Sequence, residues 1–583
     1  MKDKIKFFLQ TYSFSLFLIL FSLAYTVYGF KGIDFHSGYH GNTYKTIYPD
    51  SFPKDRYFPS TRPTAFSLFY VLVRFLGKIC LDDRFFFLVY LAWVVAAVIA
   101  LDKIIQTLQV KSKLERAALL SIFFVQHRFK DNMPQLVSTY VLNPTAMSYP
   151  VILWLTYYFL KGQNHIKLFF TAFLALFISV KNAWFPALIA CGSIYSEYLT
   201  LKMRRMALSV AGVILGGGLF VYYQFIRKTT DPALFNLLLA TTENSEAHPF
   251  LEGFFVNFLY GLICFLPLIF SYPSEELKRR IRFFSLTAMT VFLLGGLYYS
   301  YAPDFLKIPF FISLAVNRAT WWPQFIGMLI LCVKAFQLIK ENKRSMDLYL
   351  GLSLLSFIAL ILPSRPYTPW LILLSVLGLV SLYVVLKFQN RWTFGRWIEH
   401  LNDRVKFVRM MCGAIVFIML ICFSNIFVKN SVPLQFLFKN GVCWYNQNAK
   451  WVPLNDFIVS HIPSDATLLA LSYKNPFDKS EGIYFDTSVK IRTGRSMAIG
   501  TPIAHYFNYP EHLKSVKIRE SVKRMTQMWM KHDFEAIKNE LNFIGWPDYF
   551  IINGELAKWI SKRSDFNYSP FFERGQYIVF KKI

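Results

Sequence analysis

The apolar residues of this chain fall in long runs, unlike the short alternations of a soluble fold. The first run covers 12–30. Others cover 85–105, 114–126, 144–161, 166–180, 183–200, 206–225, 253–271, 283–300, 322–338, 347–362, 368–387 and 409–428. A helix rises about 1.5 Å per residue, so about 20 apolar residues cross a hydrocarbon core of about 30 Å. Runs of this length predict transmembrane helices. Basic loops lie at 103–116, 161–167, 202–205, 278–282, 340–344 and 387–409. Lys2, Lys4 and Lys6 mark a cytoplasmic N-terminus, and counting spans from it puts every one of these loops on the cytoplasmic side. Segment 64–80, TAFSLFYVLVRFLGKIC, breaks the pattern: as a span it would invert all later loops, and it contains Arg74 and Lys78. It is therefore predicted to be an interfacial or re-entrant helix at the outer surface. The count becomes about thirteen spans.

After residue 428 the pattern changes. Residues 429–583 hold no run long enough to span. Short β-type runs occur at 467–471, 549–552 and 577–580, and helical patterns at 513–531 and 533–543. The expected architecture is an α-helical polytopic membrane domain over 1–428, including a first outer loop at 31–84. An extracytoplasmic α/β or α+β domain follows over 429–583.

Composition agrees with the pattern. Of 583 residues, 55% are hydrophobic and 17% charged, where soluble chains carry about 25% charged. The net charge of +28 would suggest nucleic acid in a soluble protein. Here the basic residues sit in short loops between apolar runs and no nucleic-acid-reading motif accompanies them, so no nucleic-acid partner is expected. The seven cysteines form no CxxC pair, which argues against zinc and against a disulfide framework. No G-x-S-x-G, P-loop, G-x-G-x-x-G or H-E-x-x-H pattern occurs, so ATP-driven transport and serine hydrolysis have no support.

Candidate chemistry gathers in the first outer loop, GFKGIDFHSGYHGNTYKTIYPDSFPKDRYFPSTRPT, with Asp34, His36, His40, Lys45, Asp50, Lys54, Asp55, Arg56 and Arg62. Loops of this length between spans usually carry function. Carboxylates beside imidazoles serve as general bases or divalent-metal ligands, and the basic groups can hold phosphate. His36 and His40 would share a helical face, but Gly38 and Gly41 disfavour a helix there. Further cations for an anionic group at the outer face are Arg128, Lys181, Arg318 beside Trp321 and Trp322, and Arg365, with snorkelling to the interface as the ordinary alternative for each. In the outer domain Arg492 and Arg495, in KIRTGRS, face either an anionic acceptor or a structural partner.

These features together resemble the GT-C superfamily of membrane glycosyltransferases, which use polyprenyl-phosphate sugar donors and include oligosaccharyltransferases, protein mannosyltransferases and aminoarabinose transferases. The residues carrying the resemblance are GIDFHSGY, PDSFPKDRYF and RPTAFSLFYVLVRFLG near the start, then VPLNDFIVSHIPSDATLLAL, IRTGRSMAIG and GWPDYFIIN in the outer domain. The resemblance implies a catalytic acid shortly after the first span, here Asp34, acting as base or cation ligand with His36, His40 and Asp55 around it. The superfamily contains both metal-dependent and metal-independent members, so the resemblance leaves two readings: a divalent cation, magnesium or manganese, held by Asp34, or no cofactor. Lys45, Arg56, Arg128, Lys181, Arg318, Arg365 and Arg495 become substrate-binding candidates. It also implies a bacterial cytoplasmic membrane, a sugar donor entering from the bilayer, and a glycan, lipid or protein acceptor outside. The Asp-Glu pair of some subfamilies is absent, since Phe35 follows Asp34. Rival readings are a polysaccharide polymerase or ligase, a transporter or flippase of lipid-linked sugars, and a non-catalytic subunit of the same fold. No repeated halves or midplane charges of a transporter are visible.

Overall fold

In the computed structural model, the residues described are 2–29, 68–80, 83–125, 144–162, 165–197, 261–308, 321–341, 408–417, 452–471, 495–497, 531–563, 565–574 and 577–583, with a few single positions including Lys54, Phe235 and Trp529. The apolar runs among them are helical: α1 (Lys2–Gly29), α3 (Asp83–Thr107), α4 (Lys113–Val125), α5 (Pro144–Lys161), α6 (His165–Ile178), α7 (Val180–Glu197), α8 (Glu275–Tyr301) and α9 (Trp321–Glu341). Among the described residues three helical stretches are long and apolar enough to cross a membrane: Arg84–Thr107, Glu275–Tyr301 and Trp322–Lys340. Segment 64–80 holds helix α2 (Leu68–Ile79). Twelve residues give a helix of about 18 Å, too short to cross. It buries Phe69 and Val73 and exposes Val71, Phe75 and Ile79.

The helices form where sequence and burial agree. In α8 the Ser274 hydroxyl caps the first turn by accepting from the Leu277 N–H, and Glu275 and Glu276 complement the helix N-terminus. Its buried residues, Leu277, Ile281, Phe284, Ala288 and Phe292, recur at helical spacing. Leu286, Leu293, Leu294 and Leu297 on its other side are exposed, as lipid-facing leucines would be. Helix α9 is apolar and buried almost all round, from Trp322 to Ile339.

The chain divides into two compact units, one of residues 1–30, 86–224 and 243–438, the other of 31–85, 225–242 and 439–583. In the first, α5, α6 and α7 pack as consecutive neighbours through tight connections. Helix α5 ends at Gly162, whose φ of 66° closes it in the left-handed region.

The second unit carries a five-stranded sheet of order β2-β1-β3-β5-β4, formed by β1 (Thr467–Leu471), β2 (Ser496–Met497), β3 (Tyr549–Asn553), β4 (Tyr568–Arg574) and β5 (Tyr577–Lys582). β1 is parallel to β2 and β3, whereas β5 is antiparallel to β3 and β4. Helices α10 (Val452–His461), α11 (Phe534–Ile544) and α12 (Gly554–Ile560) cover it. Alternation splits the strands between two cores. Leu469, Phe550, Ile552 and Phe580 pack with α11 and α12, while Leu468, Ala470, Ile551 and Val579 pack with α10. With both faces covered, the strands read as nearly unbroken apolar runs such as TLLAL and YFIIN.

Candidate functional site

The polar groups of the second unit converge where α10 ends and β1, β2 and β3 begin. The Arg495 guanidinium donates to the Ile462 carbonyl through Nε (3.0 Å) and Nη2 (2.6 Å), and to the Val459 carbonyl through Nη2 (3.1 Å). These are carbonyls at and just beyond the last turn of α10, which lack helical partners, and a cation there complements the helix dipole. The next residue, Ser496 on β2, is fully buried, and its hydroxyl accepts the backbone N–H of Lys54 at 3.0 Å. The Lys54 ammonium reaches Asp465 Oδ2 at 3.1 Å, both side chains being more than half exposed. The hydrogen bond and charge of Lys54 hold the Asp465 carboxyl below its ordinary value.

Asp548 anchors the same edge. Its Oδ2 accepts from both the backbone N–H and the hydroxyl of Thr467 at 2.8 Å, and its own N–H donates to the Thr467 hydroxyl at 3.1 Å. This fixes the register of β1 against β3 from the first residue. Beside it, Phe457 of α10 lies flat on Phe572, with centroids 3.6 Å apart, and stacks on His461 at 4.5 Å. A bulge between Pro570 and Phe572 in edge strand β4 accompanies this packing, and brings Phe571 within 5.6 Å of the Phe457 ring as well.

The polar groups of the first unit are paired among themselves. Asp102 of α3 meets Arg116 of α4 at 3.1 Å and accepts from Gln106, and Arg116 lies over the Phe14 ring. Glu115 meets Lys340 of α9 at 2.6 Å. Arg280 of α8 donates to the Leu160 carbonyl at 3.0 Å at the end of α5. Asn182 of α7 donates to Ser179 and Ser148. Such pairs between helices hold them together. The sequence offered a signal for Asp102, a lone acid within an apolar run, but none for its partner.

Asp34, His36, His40, Lys45, Asp55 and Arg56 of the first outer loop lie outside the described residues, as do Arg128, Arg318 and Arg365. Lys181 falls in the first turn of α7. Arg495 is described and is engaged with the α10 carbonyls. Lys54, Asp465 and Ser496 form the contact that sequence reasoning did not assemble, because nothing in the spacing of residues some four hundred apart announces a meeting. Among the described residues no group of three or more His, Cys, Asp or Glu could hold a metal ion. Asp34, the residue assigned to a divalent cation, is not among those residues.

No family model and no curated protein matches the chain. Two solved structures are similar to it, each covering 98% of this chain and 98% of theirs. One is ArnT from Cupriavidus metallidurans in the apo state, at 11% identity and a TM-score of 0.44. The other is ArnT from Cupriavidus metallidurans bound to undecaprenyl phosphate, at 10% identity and a TM-score of 0.43.

Proposed function

We propose that this protein is a membrane glycosyltransferase of the GT-C type, moving a sugar from a polyprenyl-phosphate donor to an acceptor outside the membrane. The observation that carries the reading is the position of Asp34. It follows the end of α1 at Gly29 by five residues (34 minus 29), inside a loop that also supplies imidazoles and cations. In this reading α1 is the first span, and a tether of five residues keeps the carboxylate within reach of a lipid-borne phosphate at the membrane surface.

In this reading the Asp34 carboxylate takes the proton of the acceptor hydroxyl as its oxygen attacks the anomeric carbon. The new C–O bond forms as the bond to the lipid phosphate oxygen breaks, and the phosphate leaves with the electron pair. Attack from the face opposite the leaving group inverts the anomeric centre. The departing phosphate gains negative charge, so cations aimed at it lower the barrier. Arg56, Arg318, Arg365 and Lys181 are assigned to that task, with Arg318 first because it lies three residues before the start of α9 at Trp321.

The test uses the purified full-length chain in lipid with a panel of undecaprenyl-phosphate sugars; that lipid is chosen because one of the similar ArnT structures holds it. Wild type is expected to release free lipid phosphate, and Asp34→Asn to bind donor while losing turnover by a factor on the order of 10² or more. Donor binding without turnover in both proteins would point to a non-catalytic subunit or a missing acceptor. No donor binding by either would sink the reading and favour transport.

A further inference from the structure

We propose that Ser496 and Asp465 are positioning residues, which fix the first outer loop on the sheet through Lys54 and thereby set the placement of Asp55 and Arg56, the next two residues in the chain. The inference rests on the glycosyltransferase reading for its catalytic consequence, though not for the contact itself. Two independent bonds meet at Lys54. Its backbone N–H donates to the hydroxyl of a fully buried serine, and its ammonium pairs with Asp465. The two bonds differ in worth. The ion pair is exposed and screened, whereas the backbone bond is directional and ends on a fully buried side chain.

The receiving surface is itself rigid. Ser496 is on β2 and pairs with Thr467 of β1. The Arg495 guanidinium ties the chain just before it to the end of α10, and Asp548 locks Thr467 to β3. The Ser496 hydroxyl is thus placed by three elements and offers its oxygen to one backbone amide. An acceptor-binding surface would leave its polar atoms unsatisfied until substrate arrives, and here Arg495, Ser496 and Asp465 are all spent on protein partners. Arg495 and Ser496 therefore serve Lys54, and the C-terminal sheet acts as its anchor.

The experiment compares wild type, Ser496→Ala, Ser496→Thr and Asp465→Asn as full-length proteins in lipid, with Asp565→Asn, at an exposed pair elsewhere in the same unit, as control. The first readout is the rate of tryptic cleavage after Lys54 and Arg56. Losing one hydrogen bond is expected to speed it about fivefold in Ser496→Ala. Ser496→Thr, which keeps the hydroxyl, should cleave at the wild-type rate. The second readout is turnover of the lipid donor, where kcat should fall by a similar factor while KM for the donor holds, and Thr should restore it. Unchanged cleavage in both Ser496→Ala and Asp465→Asn overturns the anchor. Faster cleavage with unchanged kcat overturns the positioning role. If wild type turns over no donor, the glycosyltransferase reading fails by itself, and the anchor stands or falls on cleavage alone.

Discussion

The two units differ in where many of their buried hydroxyls and backbone groups find partners. In the helical unit hydroxyls fold back on their own helix. Ser22 donates to Leu18, Thr26 to Ser22, Ser121 to Ala117 and Thr156 to Ile152, each a carbonyl four residues earlier. A hydroxyl facing lipid or another apolar helix has no water to turn to, and the i−4 carbonyl is always within reach. In the sheet unit polar groups reach between elements: Asp548 to Thr467, Tyr568 to the Pro547 carbonyl, Arg495 to α10, Lys54 to Ser496. The first kind of bond leaves the meeting of helices to packing and to the pairs between them, such as Asp102–Arg116 and Glu115–Lys340. The second kind itself specifies which segments meet, so deleting it should have effects well beyond its own residue.

The largest effect is expected from packing in the sheet unit. Phe550 is fully buried and packs edge-on against Tyr568 with centroids 4.7 Å apart, with Phe566 at 5.8 Å. Phe550→Ala should cost about 3–5 kcal/mol. Thermal unfolding followed both by protease sensitivity of the C-terminal residues and by far-UV helical signal separates the units. If the comparison holds, the sheet unit melts earlier while most helical signal persists. Simultaneous loss would show that the units unfold as one.

The helical unit has a counterpart at the end of α5. Gly162 sits at φ 66°, and a Cβ built there would come within 1.9 Å of the Arg280 guanidinium. The backbone penalty for a non-glycine residue is about 1–2 kcal/mol. Displacing a buried arginine from the Leu160 carbonyl adds about 1.5–3 kcal/mol for a charged hydrogen bond. Gly162→Ala should therefore destabilise by about 3 kcal/mol, and by only the backbone part when Arg280 is already alanine. Equal losses in the two backgrounds would mean that the glycine serves its backbone alone.

Strands and helices were legible in the sequence where burial imposed a period. The runs at 467–471, 549–552 and 577–580 fall on β1, β3 and β5, and 533–543 on α11. β4 was missed because Pro570 cannot donate to a ladder, and an edge strand with a bulge tolerates it. α10 and α12 were missed because ten and seven residues show too little of a 3.6-residue repeat. Segment 64–80, expected to be an interfacial or re-entrant helix, holds a helix over Leu68–Ile79, legible from its apolar run. The loop's candidate acids lie outside the described residues, and among the described ones the clustering of Lys54, Ser496 and Asp465 depends on tertiary closure that no local pattern encodes.

A matched pair of deletions sharpens the contrast between the units. Asp548→Ala leaves the Thr467 N–H without its acceptor and is expected to cost about 1–3 kcal/mol. Ser121→Ala removes a hydroxyl that is more deeply buried than Asp548, but the Ala117 carbonyl keeps its helical bond, so about 0.5 kcal/mol or less should be lost. Unfolding midpoints of the two variants check this. Equal shifts would mean that bonding across elements has no special weight here.

The smallest effect concerns pH at the Lys54 anchor. Because Lys54 lowers the Asp465 pKa from its ordinary 3.8, the pair contributes in full above 3.8 and is lost as pH falls through the lower folded value. Hydrogen exchange at the Lys54 amide reads this directly, since that N–H donates to Ser496. Protection corrected for intrinsic rate should be flat from neutral pH down to about 4, then fall by less than about threefold, as suits an exposed pair. Asp465→Asn should remove the step and leave most of the protection, because the serine bond does not titrate. Raised salt should shrink the step in wild type and do nothing in the variant. A step surviving in Asp465→Asn would mean that another carboxylate holds the loop, and that the anchor is broader than one lysine.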